Sequence, residues 1–261
     1  MNPGLTMIMM RKSQSRAHFI GGLLFMLVIG LILYEGVSRL VTSLQSDDAL
    51  PVKAVKIDGA FSQLSRRYIA ELAGKVAGGR NIASLDTAVL ERRLYEEPWV
   101  AQAVVERQMP DTLLISVVEH VPAAYWNERG LYDARTKTVF YPDLKNFSQS
   151  LVKLGAFRDN LAPEVYKNAV AFIKILSESS YQMVELYMDQ VRCYNLTLSN
   201  GTRLILGQDP EVCEERLRRF LQAFPETGLK IDEVAYADLR YDVGFAIGRG
   251  AGSGDRTGGK Q

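Results

Sequence analysis

The sequence predicts an α+β protein carried on a single N-terminal transmembrane helix, with a small domain first and a mixed α/β domain on an extended antiparallel sheet after it. Three observations lead there. An apolar run near the N-terminus is long enough to cross a bilayer. The next segment reads strand, helix, helix, strand, strand. The remainder sets two helical stripes among short alternating strands, one pair of which is joined by an Asn-Gly turn.

The apolar run, Ala17 to Tyr34, reads AHFIGGLLFMLVIGLILY and holds no acid, lysine or arginine. At about 1.5 Å per residue it just spans the hydrocarbon core. We place the span at 17–41, with a cytoplasmic tail at 1–16, because Arg11, Lys12 and Arg16 precede the apolar run and Glu35, Arg39, Asp47 and Asp48 follow the run. A cleaved signal peptide starts similarly, but VTSLQSDDA offers no clean Ala-x-Ala site. A buried core helix would show a polar face, and none exists here.

Residues 42–51 are polar, end in Pro51 and read as a linker. The first domain, 51–122, opens with VKAVKI as a strand ending at Asp58-Gly59. Leu64, Tyr68, Ile69, Leu72 and Ala73 give a helical stripe that Ser62 or Ser65 can cap. Asp86 caps a second helix with Val89, Leu90 and Leu94 on one face, and Pro98 ends it. WVAQAVVER and TLLISVVEH form a hairpin across Pro110-Asp111, with Trp99, Val104, Leu113, Ile115 and Val117 as the expected anchors of a three-stranded sheet.

The second domain, 123–248, begins with two short strand candidates in AAYWNERGLYDARTKTVFYP and a third piece in VKLGA. A helix is expected over Pro163–Ser177, then strands in MVELYMDQ, YNLTLSN and TRLILG, the last two joined across Asn200-Gly201-Thr202. Asp209-Pro210 starts another helix, stopped at Pro225, and IDEVAYADLRYDVGFAIG holds the closing strands. Residues 249–261 are glycine-rich with no large apolar side chain, so they are expected to stay disordered.

Composition excludes several functions. Lys+Arg 31 against Asp+Glu 30 leaves no basic field for nucleic acid. Two histidines and two cysteines rule against a zinc site built from them. His120 reads as a satisfied junction histidine, with Glu119 pairing or orienting a loop. Asp133, Asp143, Asp189 and Asp238 can meet only through the fold, and no motif selects a catalytic pair. No catalytic residue, metal or cofactor is therefore expected. Cys193 and Cys213 either form a disulfide or remain two thiols.

The stretch EEPWVAQAVVERQMPDTLLISVVEHVPAAYW, with Pro98-Trp99-Val100, Arg107, Pro110, Leu113, Glu119, Pro122 and Ala124, resembles the FtsQ/DivIB family of bacterial cell-division proteins. The anchor followed by VKAVKIDG resembles the start of that family's POTRA domain, and DLRYDVGFAIG its final β-domain strand. The resemblance implies a POTRA domain at 51–122 and an FtsQ-type β domain at 123–248. It also implies a non-enzymatic scaffold in a Gram-negative inner membrane, periplasmic after the anchor and enriched at the septum. The implied partners are FtsB and FtsL, with other division proteins reached indirectly, weak self-association, and a link to septal peptidoglycan synthesis. ARTKTVF departs from the family's Asp-x-x-Gly-x-Val-Phe and puts the hairpin turn in doubt. Another POTRA-bearing scaffold, in secretion or envelope assembly, is the alternative.

The expected partner residues are Arg192, Arg240, Tyr241, Gly244 and Phe245. The closing strand is expected at a sheet edge, where a partner strand can add. Tyr241 and Phe245, an even number apart, would share one face of a regular strand, and Gly244 would allow close approach. Arg192 and Arg240 would meet partner acids.

Overall fold

The computed structural model describes residues 14–45 and 50–249. Helix α1 runs Gln14–Gln45, and its stretch Phe19–Thr42 contains an 18-residue window of mean hydropathy 2.2 that is not buried by protein. The helix continues into the segment read as linker, because no proline or glycine interrupts it between Val37 and Pro51. Thr42 returns its hydroxyl to the Ser38 carbonyl at 2.8 Å. Most of the expected cytoplasmic tail (1–13), linker residues 46–49 and the expected disordered tail from 250 on lie outside the described residues.

Two compact units follow from the packing. Of the described residues, the first takes those up to Gly59, Ser65–Leu94 and Ala103–Ser116; the second takes Ala60–Leu64, Tyr95–Gln102 and those from Val117 on.

The small sheet contains β1 (Ala54–Asp58), β2 (Val100–Gln108) and β3 (Thr112–Glu119) in the order β1-β3-β2, with β1 parallel to β3 and Ile57 opposite Ile115. Helices α2 (Arg66–Ala77) and α3 (Thr87–Tyr95) connect β1 to β2. Ser65 is the cap of α2, its hydroxyl accepting the Tyr68 N–H at 3.1 Å. Asp86 caps α3 through the Ala88 N–H at 3.0 Å. Leu90 and Leu94 are buried, but Val89 is exposed, one position off the stripe.

Along β3, Leu113, Ile115 and Val117 are buried as the alternation requires. The β2 register differs from expectation: Ala103 and Val105 point inward and Val104 is exposed. Trp99 does not anchor the small sheet either. It precedes β2 and packs in the second unit with Leu131, Phe140 and Phe147, its ring 5.3 Å from that of Phe140. Arg107 serves the first unit, donating to the Ala83 carbonyl at 2.9 Å and so fastening the loop before α3.

The second unit contains β4 (Ala124–Trp126), β5 (Gly130–Asp133), β6 (Thr138–Phe140), β7 (Lys153–Ala156), α4 (Ala162–Leu176), β8 (Met183–Met188), β9 (Tyr194–Leu198), β10 (Arg203–Gly207), α5 (Pro210–Ala223), β11 (Val234–Asp238) and β12 (Ala246–Arg249). Among the described residues its strands form one nine-stranded sheet, β12-β11-β10-β9-β8-β7-β4-β5-β6. Most neighbours are antiparallel; β4–β7, β7–β8 and β10–β11 are parallel. Helices α4 and α5 pack on the sheet through Phe172, Leu176, Leu217 and Phe220, which bury Leu186, Leu196 and Leu204. Burial on this scale is the main stabilising term.

AAYWNERGLYDARTKTVFYP holds three strands where two were expected. Two tight turns divide it, with Asn127 (φ 48°) in one and Lys137 (φ 58°) in the other. The Asn200-Gly201 hairpin forms between β9 and β10, with Gly201 at φ 90°. Cys193 and Cys213 are both free and buried, so the disulfide alternative is not realised. Burial pushes the Cys193 thiol up and the Cys213 thiol to about 12.

Candidate partner-binding site

β12 is the last strand of the large sheet, and among the described residues no strand pairs with its outer edge. Its inner edge pairs with β11, Ile247 opposite Ala237 and Gly248 opposite Tyr236. Ile247 and Phe245 turn toward the core. Gly248 lies beneath the Tyr236 ring, where a Cβ would collide with the aromatic carbons. The edge strand is therefore held by an aromatic clasp on one face and core contacts on the other.

The expectation of one regular strand through Tyr241 and Phe245 does not hold. β11 ends at Asp238, and Leu239 keeps one ladder bond, to the Ile205 carbonyl at 2.8 Å. The chain then bends through 241–243 before β12 begins. Local bonding causes the break. Asp238 accepts the Arg240 N–H at 3.1 Å and holds the Arg240 guanidinium at 2.7–3.2 Å.

The bend separates the two rings. Phe245 packs 5.1 Å from Phe220 and 6.4 Å from Phe224, a core anchor rather than a neighbour of Tyr241. Tyr241 is 57% exposed and Val243 99%. Open space surrounds the position a Cβ would take on Gly244, so nothing in the fold crowds a side chain there.

The two arginines already have partners inside the unit. Asp238 holds Arg240, whose guanidinium is pushed further toward the charged form, chiefly by that hydrogen bond. The same bond holds the Asp238 carboxyl below its ordinary value. Arg192 (φ 63°) pairs with Glu164, which also accepts the buried Tyr194 hydroxyl at 3.0 Å. Gln208, just past β10, donates to the Val191 carbonyl at 2.8 Å and ties this turn to the strand end. Both arginines remain about half exposed. A partner acid would meet pre-oriented, partly neutralised guanidinium groups.

Sequence reasoning missed Val243 and the α5 arginines, Arg216 and Arg219. Arg216 donates to the Leu206 and Arg240 carbonyls at 2.8 and 2.9 Å. Arg219 donates to the carbonyls of Tyr241 and Asp242. Their spacing of three along α5 was the available signal, but such spacing is common on solvated helix faces.

The motif residues Glu119 and His120 serve the second unit. The buried Glu119 carboxylate accepts the N–H groups of Ser62, Gln63 and Leu64 and the Ser62 hydroxyl. Ser62 is thus an anchor for its loop, not the cap of α2. His120 Nδ1 lies 2.9 Å from the buried Asp133 carboxylate, and its ring stacks 4.3 Å from Phe140. The carboxylates considered for catalysis have separate local partners: Asp143 beside Lys145, Asp189 on the Val191 and Cys193 N–H groups, Asp238 on Arg240.

Comparison with known proteins supplies the family. The FtsQ-type POTRA domain matches residues 50–120, and the C-terminal domain of cell division protein FtsQ/DivIB matches 124–240. The chain is 30% identical over 241 residues to cell division protein FtsQ of Vibrio cholerae serotype O1, covering 91% of this chain and 90% of that one. It is 28% identical to FtsQ of Shewanella oneidensis, with coverage of 92% and 90%. With FtsQ of Escherichia coli K12 it shares 34% identity over 61% of this chain and 57% of that one. The chain belongs to the FtsQ/DivIB family of cell division proteins, non-catalytic scaffolds with periplasmic domains on a single N-terminal membrane helix.

Proposed function

We propose that this scaffold binds the FtsB–FtsL complex at the division septum and links it to septal peptidoglycan synthesis, through the outer edge of β12 and the bend before it. One observation carries the reading: a strand whose outer side is unpaired among the described residues adjoins a bend that exposes Tyr241 and Val243. An incoming strand gains backbone hydrogen bonds along β12, and the two side chains supply apolar contact beside it. Arg192 and Arg240, fixed by Glu164 and Asp238, add charge that favours an acidic partner segment and sets its register. Gly244 leaves room for close approach. Phe245 contributes from beneath, by seating β12 on the core.

The test is titration of the full chain in detergent micelles with the periplasmic FtsB–FtsL segment, comparing wild type with Tyr241→Glu. An interface anchor lost at this position costs about 2 kcal/mol or more of binding, with unchanged circular dichroism. Equal affinities would remove Tyr241 from the interface.

A further inference from the structure

We propose that Arg216 and Arg219 are positioning residues for the partner face, two guanidinium forks that hold the 240–242 backbone as an ordered bend and so present Tyr241 and Val243. This inference rests on the preceding reading of the site. Once the chain leaves the β11 ladder after Leu239, the carbonyls of the exposed residues Arg240, Tyr241 and Asp242 are open to water or to side-chain donors. All three find them on one helix. Arg216 Nη2 donates to Arg240 at 2.9 Å, Arg219 Nη2 to Tyr241 at 2.8 Å, and Arg219 Nη1 to Asp242. The arginines are three positions apart on α5, so both project from one side of the helix.

Arg216 also reaches the end of β10, where its Nη1 donates to the Leu206 carbonyl at 2.8 Å. One planar guanidinium thereby bridges β10 to the bend. The bridge passes over Gly207, which sits at φ 118°, and a Cβ there would overlap Arg216 Nη1. Gly207 is thus required twice, by its backbone conformation and by the fork above it. A lysine keeps the charge but cannot reach two carbonyls with a rigid fork.

The consequence is preorganisation. Without these donors the carbonyls of the bend would bond water, and any order the bend then gained on binding would come at the expense of affinity. With the clamp in place, Tyr241 and Val243 are already solvent-facing in the free protein. The clamp atoms lie on the helix side, so Arg216 and Arg219 act through the bend and need not touch the partner.

Full-length Arg216→Gln, Arg219→Gln, Arg219→Lys and Gly207→Ala are compared with wild type by hydrogen exchange over the bonded amides of the 239–240 segment and by titration with the periplasmic FtsB–FtsL segment. Exchange is expected to accelerate at least tenfold in that segment, with β8–β9 unchanged. Affinity is expected to fall at least tenfold, and lysine at 219 should not restore it. If Gly207→Ala does not fold, the arginine variants decide. Unchanged exchange in both glutamine variants, faster exchange with wild-type affinity, or full rescue by lysine would each overturn the proposal. If wild type itself does not bind the segment, the site reading falls separately, and the exchange result alone decides whether the clamp exists.

Discussion

Glu119 and Ser62 are joined twice, the carboxylate accepting both the backbone N–H and the hydroxyl of Ser62 at 2.8 Å. The Gln63 and Leu64 N–H groups complete the cradle around this buried carboxylate. Glu119→Ala would leave these donors without their acceptor. A loss of about 2–4 kcal/mol in denaturant unfolding is expected, with accelerated amide exchange at 62–64. Wild-type stability in the variant would show that the cradle is not energetically coupled to the fold.

A surface substitution should act in the opposite direction. Lys137 is exposed and held at φ 58° in the β5–β6 turn. Left-handed backbone costs an L side chain about 1–2 kcal/mol, which glycine avoids at some cost in chain entropy. Lys137→Gly is expected to stabilise by about 0.5–1 kcal/mol in urea unfolding. Destabilisation would mean that the turn draws on the lysine side chain.

How far the sequence carries the structure depends on where the forces come from. The alternation of Leu113, Ile115 and Val117 was readable because each residue answers to its own strand. Helix caps at Ser65 and Asp86 were readable for the same reason. Trp99 was misassigned because it packs with Phe140 and Phe147, far along the chain, and Val104 because the inward face of β2 is set by Ala103 and Val105. The Tyr241–Phe245 segment failed similarly. Its apolar alternation favours a strand, but Asp238 and two arginines on α5 capture its backbone. The edge location of the closing strand was legible; the bend that exposes Tyr241 and Val243 was not.

Acid should weaken the second unit through Asp133. Burial raises this carboxyl, but hydrogen bonds from His120 and from the Val121, Arg135 and Thr136 N–H groups outweigh it and hold the group below its ordinary value. The folded pKa is depressed, so the stabilisation is complete above the unfolded value of about 4 and is lost as pH falls through the folded value. The stability gap between wild type and Asp133→Asn should therefore shrink as pH is lowered from about 5 to about 2. A gap that stays constant across this range would contradict the assigned hydrogen bonds.

The two cysteines should be chemically silent in the native protein. Both are free and buried, with thiols raised by burial, Cys213 to about 12. Little thiolate forms at neutral pH. Maleimide should label neither residue in the folded chain at pH 7 and both in denaturant without reductant. Absence of labelling in denaturant would reveal a disulfide instead.

The partner interface is tested most directly in intact cells. A photoreactive residue replaces Tyr241, Val243 or Ala246 in the full chain, one at a time, and exposed Val104 serves as the control. After irradiation, adducts are identified by mass. FtsB adducts are expected from the bend and from β12, and none from Val104. Absence of FtsB adducts at all three test positions, with FtsB captured from Val104, would contradict this interface.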